Sequence, residues 1–132
     1  MVYATQELAQ ARSRHSVLVV DDDEVSRYAM ARALSAAGFR TMQADGGRKA
    51  LELADSVSAV VLDVHLQDTH GFEVCRQIRR LVPRLPVVHV SAIHVKQSDH
   101  LAGRMSGGDA YFVTPVDTAC LADKLDQLIA RR

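Results

Sequence analysis

Three carboxylates and one hydroxyl hold most of the chemistry this 132-residue chain could perform. In "SVLVVDDDEVSR" (16–27), four apolar residues run straight into Asp21, Asp22, Asp23 and Glu24, and a separate apolar run, "AVVLDV" (59–64), carries Asp63 near its end. Carboxylates brought to one place either share protons or share a cation. A small hard divalent ion suits them: Mg²⁺ takes oxygen ligands octahedrally and keeps several waters. A carboxylate that such an ion does not fully neutralise suits phosphoryl transfer, with Asp63 as nucleophile and the metal offsetting charge on the transferring group. The phosphoryl oxygens then need donors, and "VSA" supplies the Ser91 hydroxyl and the Ala92 amide at the end of a further apolar run. Asp23 and Glu24 also fit as helix caps, where the helix dipole favours acids. Capping does not explain an acid on a different strand.

The elements that must position these groups alternate along the chain. "SVLVV" is the short β-branched run of a strand buried on both faces. From Glu24 the period turns helical, with Val25, Ala29, Ala33, Leu34 and Ala37 recurring and Gly38 as the stop. "FRTMQAD" reads as a second strand and "GGRKALELADS" as a helix with Ala50, Leu51 and Ala54 on one side. Residues 59–64 form the third strand. Gly71 opens a helix holding Phe72, Cys75, Ile78 and Leu81, closed by Pro83. "PVVHVSA" (86–92) and "GDAYFVTP" (108–115) supply strands four and five, with the polar helix "KQSDHLAGRMSGG" between them. Leu121, Leu125, Leu128 and Ile129 mark the last helix.

Strands alternating with helices imply right-handed crossovers and a parallel sheet covered on both faces, an α/β (βα)5 three-layer sandwich. Two sheet orders suit five such strands, the flavodoxin-like 2-1-3-4-5 and a Rossmann half. The turn after the first strand is all carboxylate and has no GxGxxG, which argues against a dinucleotide. In the order 2-1-3-4-5, strands one and three are neighbours about 4.8 Å apart, so Asp21, Asp22 and Asp63 converge on one cleft.

Composition excludes several classes. Sixteen basic residues balance sixteen acidic ones, so no global field favours nucleic acid or an anionic membrane. No apolar run approaches the roughly 20 residues of a membrane span, and "MVYATQELAQARSRH" lacks the order of a secretory signal, so the expected location is cytoplasmic. Cys75 and Cys120 sit in helical patterns without metal spacing and read as small buried apolar residues. His65 and His70 flank the cleft, and His89, His94 and His100 follow, but no pair has the spacing of a zinc site. His89 reads as a strand residue packed under a helix.

Together these segments resemble the receiver domain of bacterial two-component response regulators, over residues 16–131. "VLVVDDDEVSR" resembles that family's acidic pair, "VVLDVHLQDTHGFEVC" its phospho-accepting segment, "VSA" its hydroxyl switch and "GGDAYFVTPVD" its last strand with aromatic and proline. The resemblance implies a CheY-like switch. Asp63 would accept a phosphoryl group from a histidine kinase or phosphotransfer protein. Asp21, Asp22, Asp63 and the His65 carbonyl would hold Mg²⁺. Ser91 would sense the phosphate and Tyr111 would swing inward as Ser91 moves. It also implies a regulatory domain that catalyses only its own phosphotransfer and dephosphorylation. The usual interaction face, where a homodimer would form, lies on the helix after Ser91, the fifth strand and the last helix. Residues 1–14 are then an N-terminal extension or linker, and 15–132 the receiver domain.

The sequence departs from the family at Thr114, where a lysine usually precedes the strand-five proline. Gln67 replaces a usual proline, and His70 stands where an acid often precedes the glycine. Losing the lysine removes the cation facing the phosphoryl group, and Lys96 is the nearest other lysine to this rim. Thr114 therefore gives weight to a second reading, a phosphorylation-independent protein-binding module. A third reading, an aspartate-nucleophile phosphatase of the haloacid dehalogenase type, needs a second acid two residues after the nucleophile, where this chain has His65.

Overall fold

The computed structural model describes residues 2–92 and 106–132. In chain order the elements are α1 (Val2–Arg12), β1 (Ser16–Val20), α2 (Glu24–Ala36), β2 (Arg40–Ala44), α3 (Gly47–Leu53) with a 3-10 turn (Ala54–Ser56), and β3 (Ala59–Asp63). They continue as α4 (Gly71–Leu81), β4 (Val87–Ser91), β5 (Ala110–Val113) and α5 (Thr118–Ala130). The polar helix expected over 96–108 lies mostly in residues 93–105, outside the described residues, as do His94, Lys96 and His100, and residues 106 and 107 form a turn.

All strand pairs are parallel, in the order β2-β1-β3-β4-β5. The apolar runs are continuous because the sheet is covered on both faces. Val17, Val19, Val61, Val88 and Val90 pack with Ala31 and Leu34 of α2 and Leu121 and Leu125 of α5. Leu18, Val20, Val60, Leu62 and Val87 point the other way, against Ala50 of α3 and Val74, Cys75 and Ile78 of α4. Each fully buried Val or Leu contributes about 1.5–3 kcal/mol, so this sheet is the rigid platform of the molecule.

Three residues that share the helical pattern of their elements face outward, and for Cys120 this corrects the buried position expected of it. Val25 is 77% exposed, because nine residues separate it from the buried Leu34 and place it half a turn away on α2. Leu81, at the end of α4, is 62% exposed. Cys120, in the first turn of α5, is exposed, whereas Cys75 is buried.

Residues ahead of β1 form a docked helix. Gly38, at φ +116°, ends α2 where α1 approaches, and a Cβ there would lie 2.8 Å from the Cα of Ala9. The Arg12 guanidinium is buried against the Phe39 ring. It donates to Asp126 at 2.7 Å and to the Ala37 carbonyl at 3.0 Å, joining α1 to α5 and to the end of α2. No helix among the described residues is long and apolar enough to cross a membrane.

Candidate functional site

The carboxyl ends of β1 and β3 build the site. Their register pairs Val20 with Leu62, so Asp21 and Asp63 emerge next to each other at the same rim. Asp21, Asp22 and Asp63 each offer a carboxylate oxygen, and these atoms all lie within 4.8 Å of one another. The cleft predicted from sequence is therefore present. Asp23 turns away and accepts from Ser26 N–H at 2.8 Å, capping α2. Its capping role leaves the other three acids as the cluster.

The crowding is visible in proton affinity. Partial burial, followed by the Asp21 and Asp22 charges, pushes the Asp63 carboxyl up to about 6, against a lowering contribution from the His65 N–H, 3.3 Å from Oδ1. Burial likewise raises Asp21, although the Asp23 N–H donates to it at 2.9 Å. Arg27, on α2, donates to the Asp21 carbonyl at 2.8 Å and sets a cation beside the cluster. The donors are hard oxygens carrying more negative charge than the site comfortably holds, which fits a divalent cation of the Mg²⁺ kind.

Neighbouring strands bring up the remaining groups. Asp63 pairs with Val90, and Ser91, the next residue, is 1% exposed at the end of β4. Thr114 follows β5, and its N–H donates to the Ser91 carbonyl at 2.8 Å. The Thr114 hydroxyl lies 3.5 Å from that same carbonyl, so its polar atom is directed at backbone. Tyr111 lies further down β5, paired with His89 of β4 and removed from the carboxylates. Phe72 of α4 meets His89 edge-on at 4.9 Å between ring centroids. His89 is thus the strand residue packed under a helix that its position implied.

The loop after Asp63 is held by contacts with no local signature in sequence. Gly71 N–H donates to the Val64 carbonyl at 2.7 Å, and a Cβ on Gly71 would lie 2.3 Å from the Asp63 carbonyl oxygen. Only glycine fits there. Asp68 reaches back to α3 and accepts from the N–H groups of Gly47 and Arg48 at 3.0 and 3.2 Å. Those bonds hold its carboxyl below the usual range. His70 caps α4, its Nδ1 accepting from Phe72 N–H at 3.1 Å, which is the work an acid would do at that position. His65 and His70 face each other across an isolated antiparallel bridge with rings 5.6 Å apart. Among the described residues, the only group of three or more potential metal-ligating side chains is the aspartate triad.

Comparison with known proteins agrees with this arrangement. The family model described as "Response regulator receiver domain" matches residues 17–126. The response regulator MprA of Mycolicibacterium vanbaalenii is 38% identical over 117 residues, 87% of this chain and 47% of the relative. The transcriptional regulatory protein AfsQ1 of Streptomyces coelicolor is 35% identical over 118 residues, covering 88% of this chain and 52% of the relative. The chain thus spans about half the length of these curated relatives. A solved structure titled "BeF3 Activated DrrB Receiver Domain" superposes with a TM-score of 0.79 at 26% identity, over 88% of this chain and 97% of that one. A parallel 2-1-3-4-5 sheet, an acidic triad at the ends of β1 and β3 and a family match across nearly the whole domain lead to one assignment: the chain belongs to the receiver domain family of two-component response regulators.

Proposed function

We propose that Asp63 is the phosphoacceptor, taking a phosphoryl group from the phosphohistidine of a sensor kinase or phosphotransfer protein. One Asp63 carboxylate oxygen forms the new O–P bond as the N–P bond of the donor breaks and imidazole leaves. The observation that carries this reading is the meeting of three carboxylates from two neighbouring strands within 4.8 Å. With Asp63 at about 6, the nucleophile is mostly ionised at neutral pH. Asp21, Asp22, Asp63 and the His65 carbonyl would hold Mg²⁺, which offsets negative charge on the transferring group. Gly71 and Asp68 fix the loop that presents that carbonyl.

Ser91 then serves as the hydroxyl that senses the phosphoryl group, and Tyr111 as the aromatic that responds. Thr114 weakens this link. It adds a hydroxyl directed at the Ser91 carbonyl where the family supplies a cation. That substitution favours, as the second reading, a binding module that works without phosphorylation. The chain spans about half the length of the curated relatives, and the switch would act on an output element or a partner protein.

Incubation with a small phosphodonor and Mg²⁺ tests the proposal. Intact mass rises by one phosphoryl group in the native protein and stays unchanged in Asp63→Ala. A native protein that gains nothing, with magnesium bound, points to the binding-module reading.

A further inference from the structure

His89 takes no part in the phosphotransfer proposed above, yet its environment is unusual. The side chain is 1% exposed in the middle of β4, and neither ring nitrogen has a hydrogen-bond partner among the described residues. Buried polar groups are almost always paired, and leaving one unpaired is costly, so such a group calls for a functional reason. The Leu62 carbonyl of β3 lies close enough to raise the ring's proton affinity but falls short of a full hydrogen bond. Phe72, packed edge-on, brings no polar atom.

Tyr111 does bring one, a hydroxyl that is itself buried and does not meet His89 in this structure. Tyr111 is the direct partner of His89 across the β4–β5 ladder, with ring centroids 6.2 Å apart and planes tilted by 40°. Side chains at paired positions of parallel strands leave the same face, and Ser91, two residues along β4, shares that face. The Ser91 carbonyl is joined to Thr114 by a backbone hydrogen bond, so movement at Ser91 reaches β5 three residues beyond Tyr111. Rings also run continuously from the acidic rim, from His65 to His70 at 5.6 Å, to Phe72 at 4.8 Å and on to His89 at 4.9 Å.

Resting on the reading of Tyr111 as the responding aromatic, we propose that His89 is a positioning residue whose imidazole accepts the buried Tyr111 hydroxyl when that ring moves further inward toward β4. Deep burial keeps the imidazole neutral, with its pKa lowered to about 4 and the nearby His70 and Arg79 adding to the effect. A neutral ring keeps a lone pair for this bond at physiological pH. The bond adds stability to the inward state alone, and a contact made in one state shifts the equilibrium toward it. It would compensate in part for the cation missing at Thr114.

The test uses beryllofluoride and Mg²⁺ with ring-labelled tyrosine and histidine, read by NMR in the native protein, His89→Leu, His89→Gln and Tyr111→Phe. In the native protein, beryllofluoride moves both the Tyr111 ring signals and one His89 ring nitrogen, and the nitrogen shift is absent from Tyr111→Phe. His89→Leu binds beryllofluoride but loses about two- to tenfold in the ratio of inward to outward Tyr111. His89→Gln, which keeps an acceptor, recovers much of it. The inference is overturned if His89→Leu binds beryllofluoride and Tyr111 responds as in the native protein, or if the His89 nitrogen shift persists in Tyr111→Phe. The second comparison stands even where His89→Leu does not fold. Failure of the native protein to bind beryllofluoride is a different result, which overturns the phosphoacceptor reading and this inference with it.

Discussion

Replacing Asp63 by asparagine should stabilise the metal-free protein. Its carboxylate oxygen lies within 4.8 Å of those of both Asp21 and Asp22. A pair of unit charges at that separation repels by about 3.5 kcal/mol at an effective dielectric of 20 and by about 0.9 kcal/mol in bulk water. The cluster is only partly buried, so each pair sits near the lower end, and asparagine relieves two pairs. The side-chain amide oxygen can still accept the His65 N–H that Asp63 binds at 3.3 Å. The net gain is about 2 kcal/mol, which for a chain of this length raises Tm by about 7 °C. Thermal unfolding followed by circular dichroism in chelator at pH 7.5 measures it, and added salt should shrink the difference by screening. Mg²⁺ should close most of that gap. At 10 mM metal and a Kd of about 1 mM, the native protein gains about 1.4 kcal/mol from binding, and Asp63→Asn gains far less. A lower Tm for Asp63→Asn in chelator, or an equal magnesium increment in both proteins, would refute the reasoning.

Thr114→Lys restores a cation beside Ser91 and should enlarge the Tyr111 response to beryllofluoride; an equally full response in the native protein shows that another group already does this work. Gly71→Ala forces a Cβ to within 2.3 Å of the Asp63 carbonyl oxygen, backbone against backbone, so the loop must shift. About 3 kcal/mol of stability and most of the magnesium affinity should go with it, as read by denaturant unfolding and metal titration. His89 gives an acid-sensitive limb. Its pKa falls from 6.5 to about 4 on folding, so between those values the unfolded chain binds the proton that the native ring refuses. Stability is therefore fully present above pH 6.5 and drops by about 3 kcal/mol as pH falls to 4. Asp63, raised by folding, acts in the opposite direction between about 6 and 3.8. His89→Leu should flatten the first slope and leave the second, and an unchanged pH profile of unfolding would contradict the assignment.

The cleft was legible because strand ends are. Apolar runs that stop at Asp21 and at Asp63 locate the carboxylates along the chain, and the alternation of elements supplies the sheet order that makes them neighbours. Helical period alone leaves the buried face undetermined, so Val25 and Leu81 share the period of buried residues and yet lie outward. Contacts between distant segments leave no local trace. Arg12 meets Asp126 across 114 positions, and Asp68 caps a helix 21 residues before it. The need for glycine at position 71 arises from the Asp63 backbone folding under it, which no neighbouring residue announces.

The central claim is that Asp63 is the residue phosphorylated, and site-resolved mapping of the phosphoryl group tests it most directly. The protein is treated with a small phosphodonor in Mg²⁺ or in chelator, trapped with borohydride and digested, and the modified residue is read by mass spectrometry. Modification is expected at Asp63 alone, present with Mg²⁺ and absent with chelator. Modification at any other residue, or at Asp63 to the same extent without metal, would contradict it.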